Sequence, residues 1–199
     1  MANPNTTLDV RTLQGIYGTG KLDDGAAGVV AANSQTIIFL DTLGSATNSN
    51  IAQTSADSNF FGGRVDAGEV YTLFGFQVQI QEVTAAGASV APSAVVIQEA
   101  LRNLSFTLNL KGQTYPIGSL LTTPSGLGSD GMAKNGGNGV APFRFPRQLP
   151  LQISSLDSFS VTVKAERAIN VAAGTTNTIG VFIYCPSSRG IPLGQLSGA

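Results

Sequence analysis

Three stretches in the last third of the chain alternate apolar and polar residues one by one. No other feature constrains the fold as tightly. Leu149, Leu151 and Ile153 alternate with Pro150, Gln152 and Ser154. Phe159, Val161, Val163 and Ala165 alternate with Ser160, Thr162 and Lys164. Ile179, Val181, Ile183 and Cys185 alternate with Gly180, Phe182 and Tyr184. A period of two places successive side chains on opposite faces of a strand, so each stretch buries one face and leaves the other wet or shared. Pro146 and Pro150 belong at strand starts or on an edge, because proline has no N–H to give an interior ladder. The outer face of the last strand carries Phe182 and Tyr184, and something is expected to cover it.

The same pattern recurs upstream. "SQTIIFLD" (34–41) reads as a short core strand. In "YTLFGFQVQIQEV", Phe74, Phe76, Val78 and Ile80 fall on one face and Gly75, Gln77, Gln79 and Gln81 on the other. Leu104, Phe106, Leu108 and Leu110 alternate with Ser105, Thr107 and Asn109, and "KGQ" turns the chain into a strand over 114–120. One segment differs: "PSAVVIQEALRN" suits a short helix with Ser93 as N-cap and Asn103 near its end. Residues 42–63 and the Gly-rich 122–139 read as long loops.

These readings predict an all-β chain: an antiparallel β-sandwich, a single jelly roll of about eight strands with one short helix and long loops. The predicted division is an extended N-terminal arm or loop over 1–33, with a short strand near Leu8–Leu13, a jelly-roll body over 34–185, and an extended C-terminal tail over 186–199.

Composition narrows the function. Charged residues are 12% of the 199, about half the roughly 25% usual for soluble domains, so the surface is built from neutral polar groups or covered by other chains. The net charge of −1 and the scatter of eleven basic residues give no groove for phosphates, so direct nucleic-acid binding is not expected. There is no histidine, which removes His-based metal sites, triads and general bases. Cys185 is the single cysteine, so no intrachain disulfide forms; it ends an apolar run, and a buried inert thiol is expected. Asp23, Asp24 and Asp130 lie in Gly-rich turns that could offer oxygen ligands to a cation, but Asp before Gly is ordinary turn chemistry. "KNGGNG" (134–139) lacks the Lys-Ser/Thr ending of a phosphate loop. No cofactor is expected, and no enzymatic activity. Residues 1–15 have neither a basic start nor an apolar core, so no signal peptide is expected.

Taken together, "LRNLSFTLNLKGQTYPIG", "FRFPRQLPLQISSLDSFSVTVKAE" and "TIGVFIYCPSSRGI" resemble jelly-roll coat proteins of tailless icosahedral bacteriophages. The resemblance covers about residues 70–192 and rests on strand chemistry. It implies a structural virion protein, made in the host cytoplasm, whose partners are copies of itself and other coat proteins. It implies assembly through edges, loops and termini. The residues expected at subunit contacts are Phe60, Phe61, Phe143, Phe145 and Tyr184, with Ile191, Leu193 and Leu196 in the tail. Plain core packing is the alternative for each phenylalanine. A trimeric receptor-binding spike or an adhesin domain on the same sandwich is the second reading.

Overall fold

The computed structural model describes residues 12–13, 15–22, 24–26, 28–73, 75–84, 89–90, 93–119, 143–144, 151–171, 177–185 and 187–190. The regular structure is almost all strand, and every pairing between strands is antiparallel. In chain order the strands are β1 (Thr12–Leu13), β2 (Ile16–Lys21), β3 (Asp24–Ala26), β4 (Val29–Val30), β5 (Gln35–Ile38), β6 (Val70–Leu73), β7 (Gly75–Val83) and β8 (Ser89–Val90). Helix α1 (Ala94–Asn103) follows, then β9 (Leu104–Leu110), β10 (Gln113–Ser119), β11 (Phe143–Arg144), β12 (Leu151–Ile153), β13 (Phe159–Ala165), β14 (Ile169–Asn170), β15 (Thr178–Cys185) and β16 (Ser187–Gly190).

Two sheets carry most of the core. One has the order β10-β9-β13-β5, the other β11-β7-β15-β2 with β8 beside β7. In the first, Val161 pairs with both Leu108 and Ile38, so the alternating residues of three strands line up on one buried face. In the second, Val181 pairs with Ile80 and Gly20, and Ile183 with Val78 and Gly18. Phe106, Phe159, Ile179 and Ile183 are among the most completely buried side chains and belong to a single hydrophobic cluster. Gly18 and Gly20 let the sheets approach. A Cβ on Gly18 would stand 2.6 Å from the Phe39 ring and 2.7 Å from Ile38, and one on Gly20 would stand 2.3 Å from Thr36 Oγ1. The missing side chains on β2 are the space that β5 fills.

Helix α1 forms where it was expected. Ser93 is the N-cap and its Oγ accepts the Val96 N–H at 3.3 Å. Val96 and Ala100 face the core, Val95 faces solvent, and Arg102 sits in the last turn, where a cation suits the helix dipole. The "KGQ" turn is also confirmed. Lys111 and Gly112 both have positive φ, 54° and 75°, the type I′ geometry that matches hairpin twist.

The two edges of the first sheet are treated differently. On β10, Leu110 and Gln113 close the hairpin as its hydrogen-bonded pair, so Thr114 and Pro116 turn their backbone outward. Pro116 therefore places its missing N–H on the free side, which blunts the edge against a further strand. At the β5 edge, the loop that follows folds back and the Ile37 N–H donates to Asn48 O at 2.8 Å.

Several expectations are corrected. Residues 16–22 and 28–30, read as arm, belong to the body: β2 pairs with β15, and Ile16, Leu22 and Val30 are core residues. The tail begins as a sheet strand, since β16 lies between β1 and β6 in the order β1-β16-β6-β12. The run 71–83 is strand on both sides of residue 74: β6 pairs with β12 and β16, and β7 pairs with β15, β11 and β8. Among the described residues, the short segments β3, β4 and β14 form a small sheet of their own.

Candidate functional site

The 42–63 loop is ordered by one buried carboxylate. Asp41 is 4% exposed. Its oxygens accept the Ser49 N–H at 2.8 Å, the Ser49 hydroxyl at 2.6 Å, the Asn48 N–H at 3.0 Å and the Asn48 side-chain amide at 2.7 Å. Burial opposes ionisation, but the Ser49 and Asn48 donors outweigh it and hold the carboxyl below the usual range. Gln53 continues the network, donating to Thr19 O and to Ser49 Oγ, each at 3.0 Å. These lone pairs are committed to N–H and O–H donors, so Asp41 builds the loop.

The loop then runs along the free edge of β2, where Lys21 N donates to Ser49 O, Gln53 Nε2 to Thr19 O and Asn59 N to Tyr17 O, beside the outer face of β2, β15 and β7. Register places Tyr17 beside Tyr184, Thr19 beside Phe182 and Lys21 beside Gly180. Gln79 and Gln81 lie on the far side of Phe182 and Gly180. The Tyr17 and Phe182 rings stack at 6.1 Å, and the Tyr17 hydroxyl donates to Ser55 O at 2.8 Å. Between this face and the loop runs a groove of about 540 Å³. Phe182, Val83 and Ile51 supply its apolar lining, and Lys21, Asn50 and Asp57 supply its charged and amide groups. Gly180 opens it: a Cβ there would stand 2.7 Å from Val83 Cγ2.

A second feature lies on adjoining loops. The segments 39–44, 61–65 and 154–158 are tied by backbone bonds from Gly62 N to Asp41 O, Gly63 N to Phe39 O and Leu156 N to Val65 O. They carry Leu40, Leu43 and Leu156, which are 39%, 66% and 69% exposed, and the half-buried Phe61. The β9–β10 tip joins them, as Lys111 N donates to Ser158 O and the Lys111 ammonium meets Asp157 at 3.1 Å.

The expected contact residues divide. Phe60 is a correction: it is 5% exposed and points into the core, edge-on to Phe39, Phe159 and Tyr71. The polar loop around it carries one side chain that the core takes. Phe61 is half-buried, as is Tyr184, whose ring lies over Gly15; a Cβ on Gly15 would fall within that ring. Phe143 lies in β11 opposite Phe76. Phe145, Ile191, Leu193 and Leu196 lie outside the described residues, as do Asp23, Asp130 and the 134–139 loop.

Cys185 is buried as expected, and burial pushes its thiol up to about 12. Glu69 and Arg189 form a two-pronged ion pair that anchors β16 to the start of β6. Burial, followed by the Glu69 carboxylate, pushes the neighbouring Tyr71 phenol up to about 12. Among the described residues, no group of three or more Cys, Asp or Glu is placed to hold a metal ion, and no helix is long and apolar enough to cross a membrane.

Lys21, Asn50 and Asp57 had no signal in the sequence, because β2–β15 pairing and the Asp41 network bring them together. The aromatic outer face was legible from the period of two. No family model, curated protein or solved structure matches this chain.

Proposed function

We propose that the protein is a structural subunit of a virion, a coat protein that assembles with copies of itself and with other coat proteins. The observation that carries this reading is the set of adjoining loops with Leu40, Leu43, Leu156 and Phe61. Single exposed leucines are ordinary, but several on contiguous loops of a low-charge chain suit burial against another subunit. The antiparallel body and the resemblance of its strand segments to phage coat proteins support the same reading. A jelly-roll sandwich is the architecture proposed for the body. The blunted β10 edge and the covered β5 edge argue for contacts through loops and faces over edge-to-edge pairing.

The test is light scattering across concentration with negative-stain images of the same sample. Shells, sheets or growth with concentration are expected, and Leu43→Lys with Leu156→Lys is expected to abolish them. A chain that stays monomeric at high concentration, alone and with a co-expressed coat protein, overturns the reading. The receptor-binding spike or adhesin domain is the second reading, favoured by the polar groove beside Phe182; a closed trimer that never grows would select it.

A further inference from the structure

Most polar clusters of this molecule are internally satisfied. Asp41 spends its oxygens on the loop, Glu69 and Arg189 spend theirs on each other, and the Cys185 thiol is sealed. The groove beside Phe182 is different, because its polar groups retain capacity. Among the described residues the Lys21 ammonium makes no ion pair. Asn50 donates its amide to Lys21 O at 2.8 Å and Gln35 O at 3.1 Å, which fixes the side chain and leaves Oδ1 as an acceptor. Asp57 Oδ2 takes the Thr54 N–H and hydroxyl at 3.0 and 2.5 Å, which leaves Oδ1 as an acceptor. All three side chains are thus held or placed by backbone, with donors and acceptors left over.

We infer that this groove binds a neutral saccharide. Three observations select that class. The lining combines apolar side chains, Phe182, Val83 and Ile51, with polar ones, Lys21, Asn50 and Asp57, as the apolar C–H face and the hydroxyls of a sugar ring require. Donor and acceptor capacity are both present, as vicinal hydroxyls require. Among the described lining residues one cation, Lys21, and one carboxylate, Asp57, balance, which favours a neutral ligand over an anion. The volume of about 540 Å³ lies within the range of small-molecule sites, roughly 300–1,000 Å³, and its open form suits a short oligosaccharide. The inference is independent of how copies of the chain assemble.

Saturation-transfer NMR on the full chain tests it, since the readout is on the ligand and tolerates a large assembly. The probes are maltotriose, cellotriose, N,N′,N″-triacetylchitotriose and lactose, with sialyllactose as the anionic comparison. The expected result is transfer to the ring C–H protons of at least one neutral probe, with Kd on the order of 1 mM, as a shallow site of this kind supports. Ala56→Trp, at an exposed wall position, is expected to abolish transfer while leaving the thermal melt unchanged. Phe182→Ala is expected to weaken binding about tenfold, the loss of one stacked contact. Absence of transfer to every neutral probe, transfer that survives both substitutions, or tighter binding of sialyllactose than of any neutral probe would each overturn the inference.

Discussion

Removing the Asp41 carboxylate is the sharpest test of how the groove wall is built. In Asp41→Ala, the buried Ser49 N–H loses its acceptor at 2.8 Å, while the Ser49 hydroxyl, 2.6 Å from the carboxylate, turns to Ile51 O at 2.9 Å. Bonds to a charged partner are worth about 1.5–3 kcal/mol each, and the Asn48 donors, only part-buried, recover water and add little. The expected loss is about 1.5–3 kcal/mol, a fall in Tm of roughly 5 °C for a chain of this size. Urea unfolding followed by tyrosine fluorescence measures it, with the exposed Asp66→Ala as control, expected within about 0.5 kcal/mol. Amide exchange adds location: Lys21 N–H and Ile37 N–H, which donate to Ser49 O and Asn48 O, should lose protection before the β13 ladder does. A loss under about 1 kcal/mol would mean the loop is held by something other than this carboxylate. The pH dependence has a fixed sign. Because the folded carboxyl is held below its ordinary value, its contribution is complete above about pH 4, where the unfolded chain is also ionised. It fades as the pH falls through the lower folded value. The wild type should lose stability across that acid window more steeply than Asp41→Ala.

Three further outcomes follow from the packing. Gly18→Ala would place a methyl 2.6 Å from Phe39 and 2.7 Å from Ile38, so it should cost about 1–3 kcal/mol in the same urea assay; a neutral result would mean that β2 and β5 are not in close contact. Cys185 should react with Ellman's reagent only at the rate of global unfolding, because its thiol is buried and its pKa is pushed up to about 12; fast labelling of the native protein would contradict that burial. Pro116→Val restores an outward N–H on the β10 edge and should raise edge-to-edge association, read as larger species in sedimentation velocity; an unchanged distribution would show that the proline does not guard the edge.

What the sequence by itself determined is local. The period of two set the inner and outer faces of β9, β13 and β15, and these are the faces the structure buries and exposes. Ser93 announced the helix start, and "KGQ" announced a turn, because caps and turns depend on neighbours within a few positions. The burial of Cys185 followed from the same alternation. The tertiary structure decided everything that needs a distant partner. It drew residues 16–21 out of a supposed arm, because β15 offers them a ladder. It turned Phe60 inward to complete an aromatic cluster assembled from four separate segments. The groove belongs wholly to this second class: Lys21, Gly180 and Asp57 meet only because strand pairing and one buried carboxylate place them there. Long-range hydrogen bonds and close packing carry that information, and no local pattern of residues encodes which of many compatible strands will supply them.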